Sequence, residues 1–201
     1  MNSINLLSLT LFCIFFICYV MKLVILSKAS GIRAYVLGRS GKSTEVLKVE
    51  ALVKIATFVW GLLWLVLSLA GAKSGCLVLQ SKSFDLLRYL GIVLLTVGVA
   101  MFITAMISMK TSWRVGIDKE SKTSLITGGI YKFTRNPAFV GFDTMFAGFA
   151  LTFPGLLTLI VAIANILAIH KLILLEEAHL NSVFGRNYEE YKRKTPRYIL
   201  F

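Results

Sequence analysis

Five long apolar runs divided by short, basic connections dominate the sequence, and this alternation restricts the chain to a membrane-crossing fold more than any single motif does. Crossing the hydrocarbon core takes about 20 apolar residues at ~1.5 Å of rise each. Ile4 to Leu26 has that length, and Lys22 near its end is its single charge. It lacks the basic leader and small-x-small cleavage signal of a removed signal peptide, so it is expected to be retained as the first span. Further spans are expected from about Ala51 to Ala70, where Lys54 can snorkel to the interface, and from about Leu86 to Met109. Pro137 to Phe153 is shorter; Pro154-Gly155 then supplies a tight turn, and Leu156 to Leu175 returns across the bilayer. The expected fold is all-α, a polytopic membrane protein of about five transmembrane helices with a C-terminal helical hairpin.

Charge gives the expected orientation. Lys and Arg number 22 against 10 Asp and Glu, yet only 16% of residues are charged where a soluble domain carries about a quarter. The basic residues are dispersed beside apolar spans, which suits loops facing anionic lipid and argues against nucleic-acid binding. Lys28, Arg33, Arg39, Lys42 and Lys48 follow the first span, but only Lys73 and Lys82 separate the second and third. Lys110, Arg114, Lys119, Lys122, Lys132 and Arg135 follow the third, and Arg186, Lys192, Arg193, Lys194 and Arg197 follow the last. The positive-inside rule then expects the N-terminus outside and the C-terminus in the cytoplasm. Cys13, Cys18 and Cys76 are odd in number and have no metal-ligand spacing, so neither a disulfide framework nor a metal site is expected. Gly41-Lys42-Ser43 lacks the earlier glycine of a phosphate loop, since position 36 is Val, and no strand precedes it.

Polar residues gather in two stretches, Trp113 to Pro137 and Glu176 to Arg197, which the hairpin brings to one membrane face. In the first, Gly128 and Gly129 allow close backbone approach and Tyr131 offers an aromatic face with a polar tip, while Asn136-Pro137 reads as a capped helix start. A plain loop before a capped helix explains these residues as well as a ligand site does. In the second, Glu176-Glu177 ends the last span, where carboxylates oppose the helix dipole and call for a cation. Arg135, Arg193, other tail arginines, His170, Lys171 or a cationic ligand would serve. Asp143, about two turns into the fourth span, should face the bundle, as a hydrogen-bonded structural group paired with His170 or Lys171 or as part of a substrate cavity. His170 and Glu177 share a helix face, so one cavity could see both.

From Trp113 to Pro196 the chain resembles the isoprenylcysteine carboxyl methyltransferase and phospholipid N-methyltransferase superfamily of integral membrane enzymes. The resemblance is carried by Ser112-Trp113-Arg114-Val115-Gly116-Ile117, by Gly129-x-Tyr131-xxx-Arg135-Asn136-Pro137, by Glu176-Glu177, and by Phe184-Gly185-xx-Tyr188-xx-Tyr191 with Pro196. It implies a methyltransferase core over 112–201; residues 1–111 carry no recognised motif and are expected to form transmembrane helices 1–3, the first of them an accessory and not part of the site. It also implies S-adenosylmethionine in a cytoplasmic pocket, with S-adenosylhomocysteine as the product, and a membrane lipid or other lipophilic acceptor entering from the bilayer. Gly129, Tyr131, Arg135, Asn136, Pro137, Glu176, Glu177, Tyr188 and Tyr191 are the implied cofactor residues. Trp113, Asp143 and His170 are expected in the substrate cavity. Many relatives have His where Asn136 stands, and Asn cannot titrate, so no general-base role is assigned to it. If the acceptor is a carboxylate, as in an isoprenylcysteine, Arg193 and Arg197 have the geometry to orient it. A sterol-type NADPH-dependent reductase, sharing an Arg-x-Pro element, and a transporter or scaffold using Asp143, His170 and Lys171 are the competing readings. Trp60 and Trp64 are expected to be packing residues and interface anchors.

Overall fold

The computed structural model describes residues 2–70, 82–118 and 124–199, so Lys73, Cys76, Lys119 and Lys122 lie outside the described residues. Six α-helices account for most of them: α1 (Ser3–Ser30), α2 (Thr44–Ala70), α3 (Asp85–Ser108), α4 (Pro137–Thr152), α5 (Leu156–Phe184) and α6 (Arg186–Lys194). Among the described residues α1, α2, α3 and α5 are long and apolar enough to cross a membrane, and α4 is a shorter apolar helix. Its 16 residues rise about 24 Å, slightly less than the hydrocarbon thickness. The chain is thus an all-helical, multi-pass membrane protein, with the outward sides of α1 and α2 covered by exposed Leu6, Leu7, Ile17, Ile25, Leu52, Val59 and Val66. A surface of that kind belongs against lipid.

The tightest packing runs between α3 and α4. Gly91 and Gly98 on α3 face Gly148 and Gly141 on α4, each pair seven residues apart. A methyl group added at Gly98 would stand 2.7 Å from the Gly141 carbonyl oxygen, and one at Gly148 would stand 2.7 Å from the Leu95 nitrogen. Apolar side chains gain nothing by leaving lipid for one another, so close backbone approach through small residues is what joins two helices in a bilayer.

Polar side chains fasten the opposite end. Asn5 donates to the Leu67 and Ser68 carbonyls at 3.0 and 3.3 Å, Trp64 Nε1 donates to Ser8 Oγ at 2.8 Å, and Ser8 and Ser68 share a 2.9 Å bond. Arg88, nearly fully buried, reaches the Thr152 carbonyl and Asn5 Oδ1. Four helices are cross-linked in this way, and an arginine is kept out of lipid by two neutral acceptors and by the Asp85 carboxylate 3.8 Å away. Trp60 and Trp64 are 2% and 0% exposed, so they are packing residues and not interface anchors. Trp60 meets Phe146 edge to face at 4.9 Å, within an aromatic cluster that includes Phe15, Phe102 and Phe142.

Helix α5 runs through Phe184, two turns past the apolar stretch, because Glu176 to Phe184 holds neither glycine nor proline. The paired glutamates therefore do not sit at a helix C-terminus, and the dipole argument for a compensating cation does not apply to them. The break comes at Gly185, whose φ of 50° permits the turn into α6.

Candidate active site

The extension of α5 presents its two adjacent glutamates to different surroundings, about 100° apart around the helix. Glu177 is buried and faces the Arg135 segment and the C-terminal tail. Arg135 donates to both carboxylate oxygens, at 2.9 Å to Oε1 and 3.2 Å to Oε2. Arg197 donates to Oε2 at 3.1 and 2.9 Å, and Asn136 Nδ2 donates to Oε1 at 3.0 Å. The tail returns the contacts. The Pro196 carbonyl accepts from the Arg135 backbone, the Arg197 carbonyl from Thr134 Oγ1, and the Thr195 carbonyl from Arg135 Nη1. Two charge-assisted forks on one carboxylate lock the loop before α4 to the residues after α6.

Glu176 turns instead into a cavity of about 1420 Å³, lined by side chains of all six helices and of residues 112–118, 124–126 and 131–136. Its carboxylate forms no hydrogen bond or ion pair with any described residue. Tyr131, Trp113, Arg135, Asn136, Tyr188 and Tyr191 line the same cavity. Tyr191 donates to the Tyr131 carbonyl at 2.7 Å, and the Tyr188 hydroxyl is buried beside Arg135 without a hydrogen-bond partner among the described residues. Burial, reinforced by Glu176, pushes the Tyr131 phenol well above its usual range. Burial, with a further contribution from Glu177, pushes Tyr188 up to about 12. Both stay neutral donors at physiological pH.

Of the residues expected in the site, Gly129, Pro137, Glu177, Asp143, His170, Arg193 and Arg197 do not line the cavity. Gly129 takes a left-handed φ of 61° in the turn that places Tyr131, and Pro137 occupies the first turn of α4. Glu177 and Arg197 form its supporting clamp, and Arg193 is solvent-exposed on α6. The face shared by His170 and Glu177 is turned to the tail, where His170 Nδ1 and the Tyr198 hydroxyl share a 2.6 Å bond. His170 therefore pairs with Tyr198 and not with Asp143, whose Oδ1 is buried without a hydrogen-bond partner among the described residues.

The N-terminal half contributes more than an accessory span. Glu50 of α2, 0% exposed, accepts from Lys42 Nζ at 2.7 Å, from the Gly38 backbone at 2.8 Å and from the Ile117 backbone at 3.0 Å. Around it, Val36 and Ala34 exchange backbone bonds with Val115, so the loop after α1 is stitched to the segment after α3. A side chain at Gly116 would strike Glu50 at 2.9 Å, which explains glycine there. Lys42, dismissed as a phosphate-loop lysine, is the counter-ion of this carboxylate. Through this joint, Tyr19, Tyr35 and Leu37 become part of the cavity wall. The sequence signal that could have found most of the α2 wall is a stripe of Ala51, Lys54, Ile55, Phe58, Leu62 and Leu65; the buried Val53 and Trp60, on the other side of the helix, line the cavity as well.

Comparison with known proteins agrees with this arrangement. Residues 86–187, about half of the chain, match the phospholipid methyltransferase family. Over 73 residues the chain is 36% identical to a protein-S-isoprenylcysteine O-methyltransferase of Schizosaccharomyces pombe, covering 36% of this chain and 31% of that one. Over 119 residues it is 31% identical to a probable protein-S-isoprenylcysteine O-methyltransferase of Oryza sativa subsp. indica, covering 57% of this chain and 62% of the relative. The same figures hold for the subsp. japonica protein. The alignments thus span between a third and three-fifths of these curated relatives. With the Arg135-Asn136-Pro137 segment, Glu176-Glu177 and the α6 tyrosines all inside or beside the matched region, the chain belongs to the phospholipid methyltransferase family.

Proposed function

We propose that the chain is a membrane methyltransferase that takes its methyl group from S-adenosylmethionine and transfers it to a lipophilic acceptor, with the Glu176 end of the cavity facing the cytoplasm. The observation that carries this reading is an unpaired carboxyl group, Glu176, inside a large cavity lined by aromatic and aliphatic side chains. A cationic donor has its charge met there, and Trp113 and Tyr131 supply ring faces for a sulfonium or ammonium group. The cavity also exceeds the ~300–1000 Å³ usual for a single drug-sized ligand, which leaves room for two reactants. Lys110, Lys132, Arg186, Lys192, Arg193 and Lys194 cluster at this end, which supports the cytoplasmic orientation.

When bound, S-adenosylmethionine supplies an electrophilic sulfonium methyl, and the electron pair of the broken S–C bond stays on sulfur. The protein's share is to hold the nucleophile in line and to keep water out. Glu176 would orient the cationic end, while the Glu177 clamp keeps Arg135, Asn136 and Tyr188 from collapsing into the vacant volume. A carboxylate acceptor, as the names of the relatives suggest, attacks as it stands: one C–O bond forms, one S–C bond breaks, and no proton moves. Arg197 is committed to Glu177 and Arg193 lies outside the cavity, so orientation of the acceptor falls to other residues.

Calorimetry of S-adenosylmethionine and S-adenosylhomocysteine with the detergent-purified protein tests the reading. Binding of both, weakened at least tenfold by Glu176→Gln with the fold retained, is the expected result. A folded, monodisperse wild type that binds neither, with or without added lipid, would overturn it.

A further inference from the structure

The cavity extends beyond the region matched by the family, into a groove between α1 and α2. On α2 the lining residues Lys54, Phe58, Leu62 and Leu65 follow one another at helical spacing. Phe58 and Leu62 are 69% and 50% exposed, so this wall opens sideways to the bilayer. Lys54 stands at its head, toward the Glu50 joint and the polar end.

Three lysine or arginine side chains line the cavity among the described residues, and two of them are already neutralised. Arg135 is bound to Glu177, and Arg114 is bound to Asp118 at 2.9 Å. The ammonium group of Lys54 forms no ion pair and donates no hydrogen bond to any described residue. A lysine near a span end can be explained by snorkelling, but that account does not require it to line the reaction cavity at the top of an apolar groove. The cavity therefore carries one unpaired carboxyl group, Glu176, which burial and the neighbouring Glu177 push up to about 7, and one unpaired cation, Lys54, on separate walls.

We propose that Lys54 is the residue that reads the acceptor: its ammonium binds the carboxylate of a lipophilic acid whose chain lies along Phe58, Leu62 and Leu65. This rests on the methyltransferase reading above and on the carboxylate acceptor that the relatives' names suggest, and adds to them the residue that would select it. A carboxylate suits a lone ammonium better than a phosphate monoester does, because the latter carries up to two charges and no second free cation lines the cavity among the described residues. The pairing also gives the site a direction. Methyl transfer converts the carboxylate into an uncharged ester, so the product loses the contact that held the acceptor, while the apolar groove holds both alike.

Equilibrium binding of S-farnesylcysteine, its methyl ester and farnesyl phosphate to the purified protein tests this without any methyl donor. The wild type is expected to bind the acid about tenfold tighter than the ester, or about 1.4 kcal/mol. Lys54→Gln should bring the two to equal affinity and leave S-adenosylmethionine binding unchanged, whereas Lys54→Arg should retain the preference. Equal binding of acid and ester by the wild type would overturn the proposal, as would a preference that survives in Lys54→Gln. A Lys54-dependent hold on farnesyl phosphate with none on the acid would overturn the carboxylate assignment. Lys54-dependent binding of the acid by a protein that binds no S-adenosylmethionine would instead remove the methyltransferase reading and leave the acid site standing.

Discussion

Helix α4 meets its neighbours in two opposite ways. Toward α3 it is sealed, because Gly141 and Gly148 let the two backbones touch. Toward α1, α2 and α5 it presents Ala138, Phe139 and Phe142 at the edge of a cavity of about 1420 Å³. A similar division separates Glu177, clamped by two arginines and an asparagine, from Glu176, which has no partner one residue away. The sealed side fixes position and the open side is left to be filled. Backbone contact and paired charge have no remaining valence for a ligand, whereas an aromatic wall and an unpaired carboxylate do.

The largest effect should come from breaking the clamp. Glu177→Ala leaves the Arg135 and Arg197 guanidinium groups without their carboxylate, a loss of about 3 to 5 kcal/mol for a buried pair broken from one side. Thermal unfolding in detergent should show a marked drop in Tm, and cofactor binding should fail with it. Next is the glycine seam: Gly148→Leu forces a side chain against the α3 backbone, costing about 1–3 kcal/mol or more by overpacking. The same assay reads it, and an unchanged Tm would mean that α3 and α4 are not in contact at this point. On the open side the expected effects lie in binding and not in stability. Glu176→Gln should leave Tm within about a degree of wild type and lower S-adenosylmethionine affinity about tenfold, roughly the worth of one charge-assisted contact. A large fall in Tm for this variant would erase the distinction between the two glutamates. Leu62→Ala, in the groove, should weaken a farnesylated ligand only severalfold, with no change in cofactor affinity. Smallest of all, Arg193→Ala on exposed α6 should change neither Tm nor the affinity for an acid ligand.

Much of the architecture was legible in sequence because membrane burial leaves a one-dimensional record. An apolar run of sufficient length is a span whatever its neighbours are, and Pro154-Gly155 between two runs makes a hairpin. The bounds of α1, α3 and α4 follow the apolar runs within a few residues, and α2 and α5 continue past theirs into polar sequence. The motif residues Tyr131, Arg135, Asn136, Glu176, Tyr188 and Tyr191 do gather around one cavity. What sequence left open was the division of labour within the gathering. Adjacent glutamates look alike in a string, and only the rotation of α5 gives Glu177 to the tail and Glu176 to the cavity. His170 and Glu177 were correctly placed on one face, but which surface that face meets depends on where residues 195–198 pass.

The sequence by itself determined that this chain crosses a membrane as helices and that its polar residues collect at one end, since both follow from the free energy of moving single residues between water and lipid. Tertiary structure alone decided which charges are spent and which remain free. Glu50 and Lys42, Glu177 and Arg135, and Arg114 and Asp118 neutralise one another across long or folded stretches of chain, leaving Glu176 and Lys54 to the cavity. Arg135 reaches Glu177 across 42 residues, and even the pairs close in sequence depend on how their loops fold, on distances of a few ångströms that no sequence pattern records.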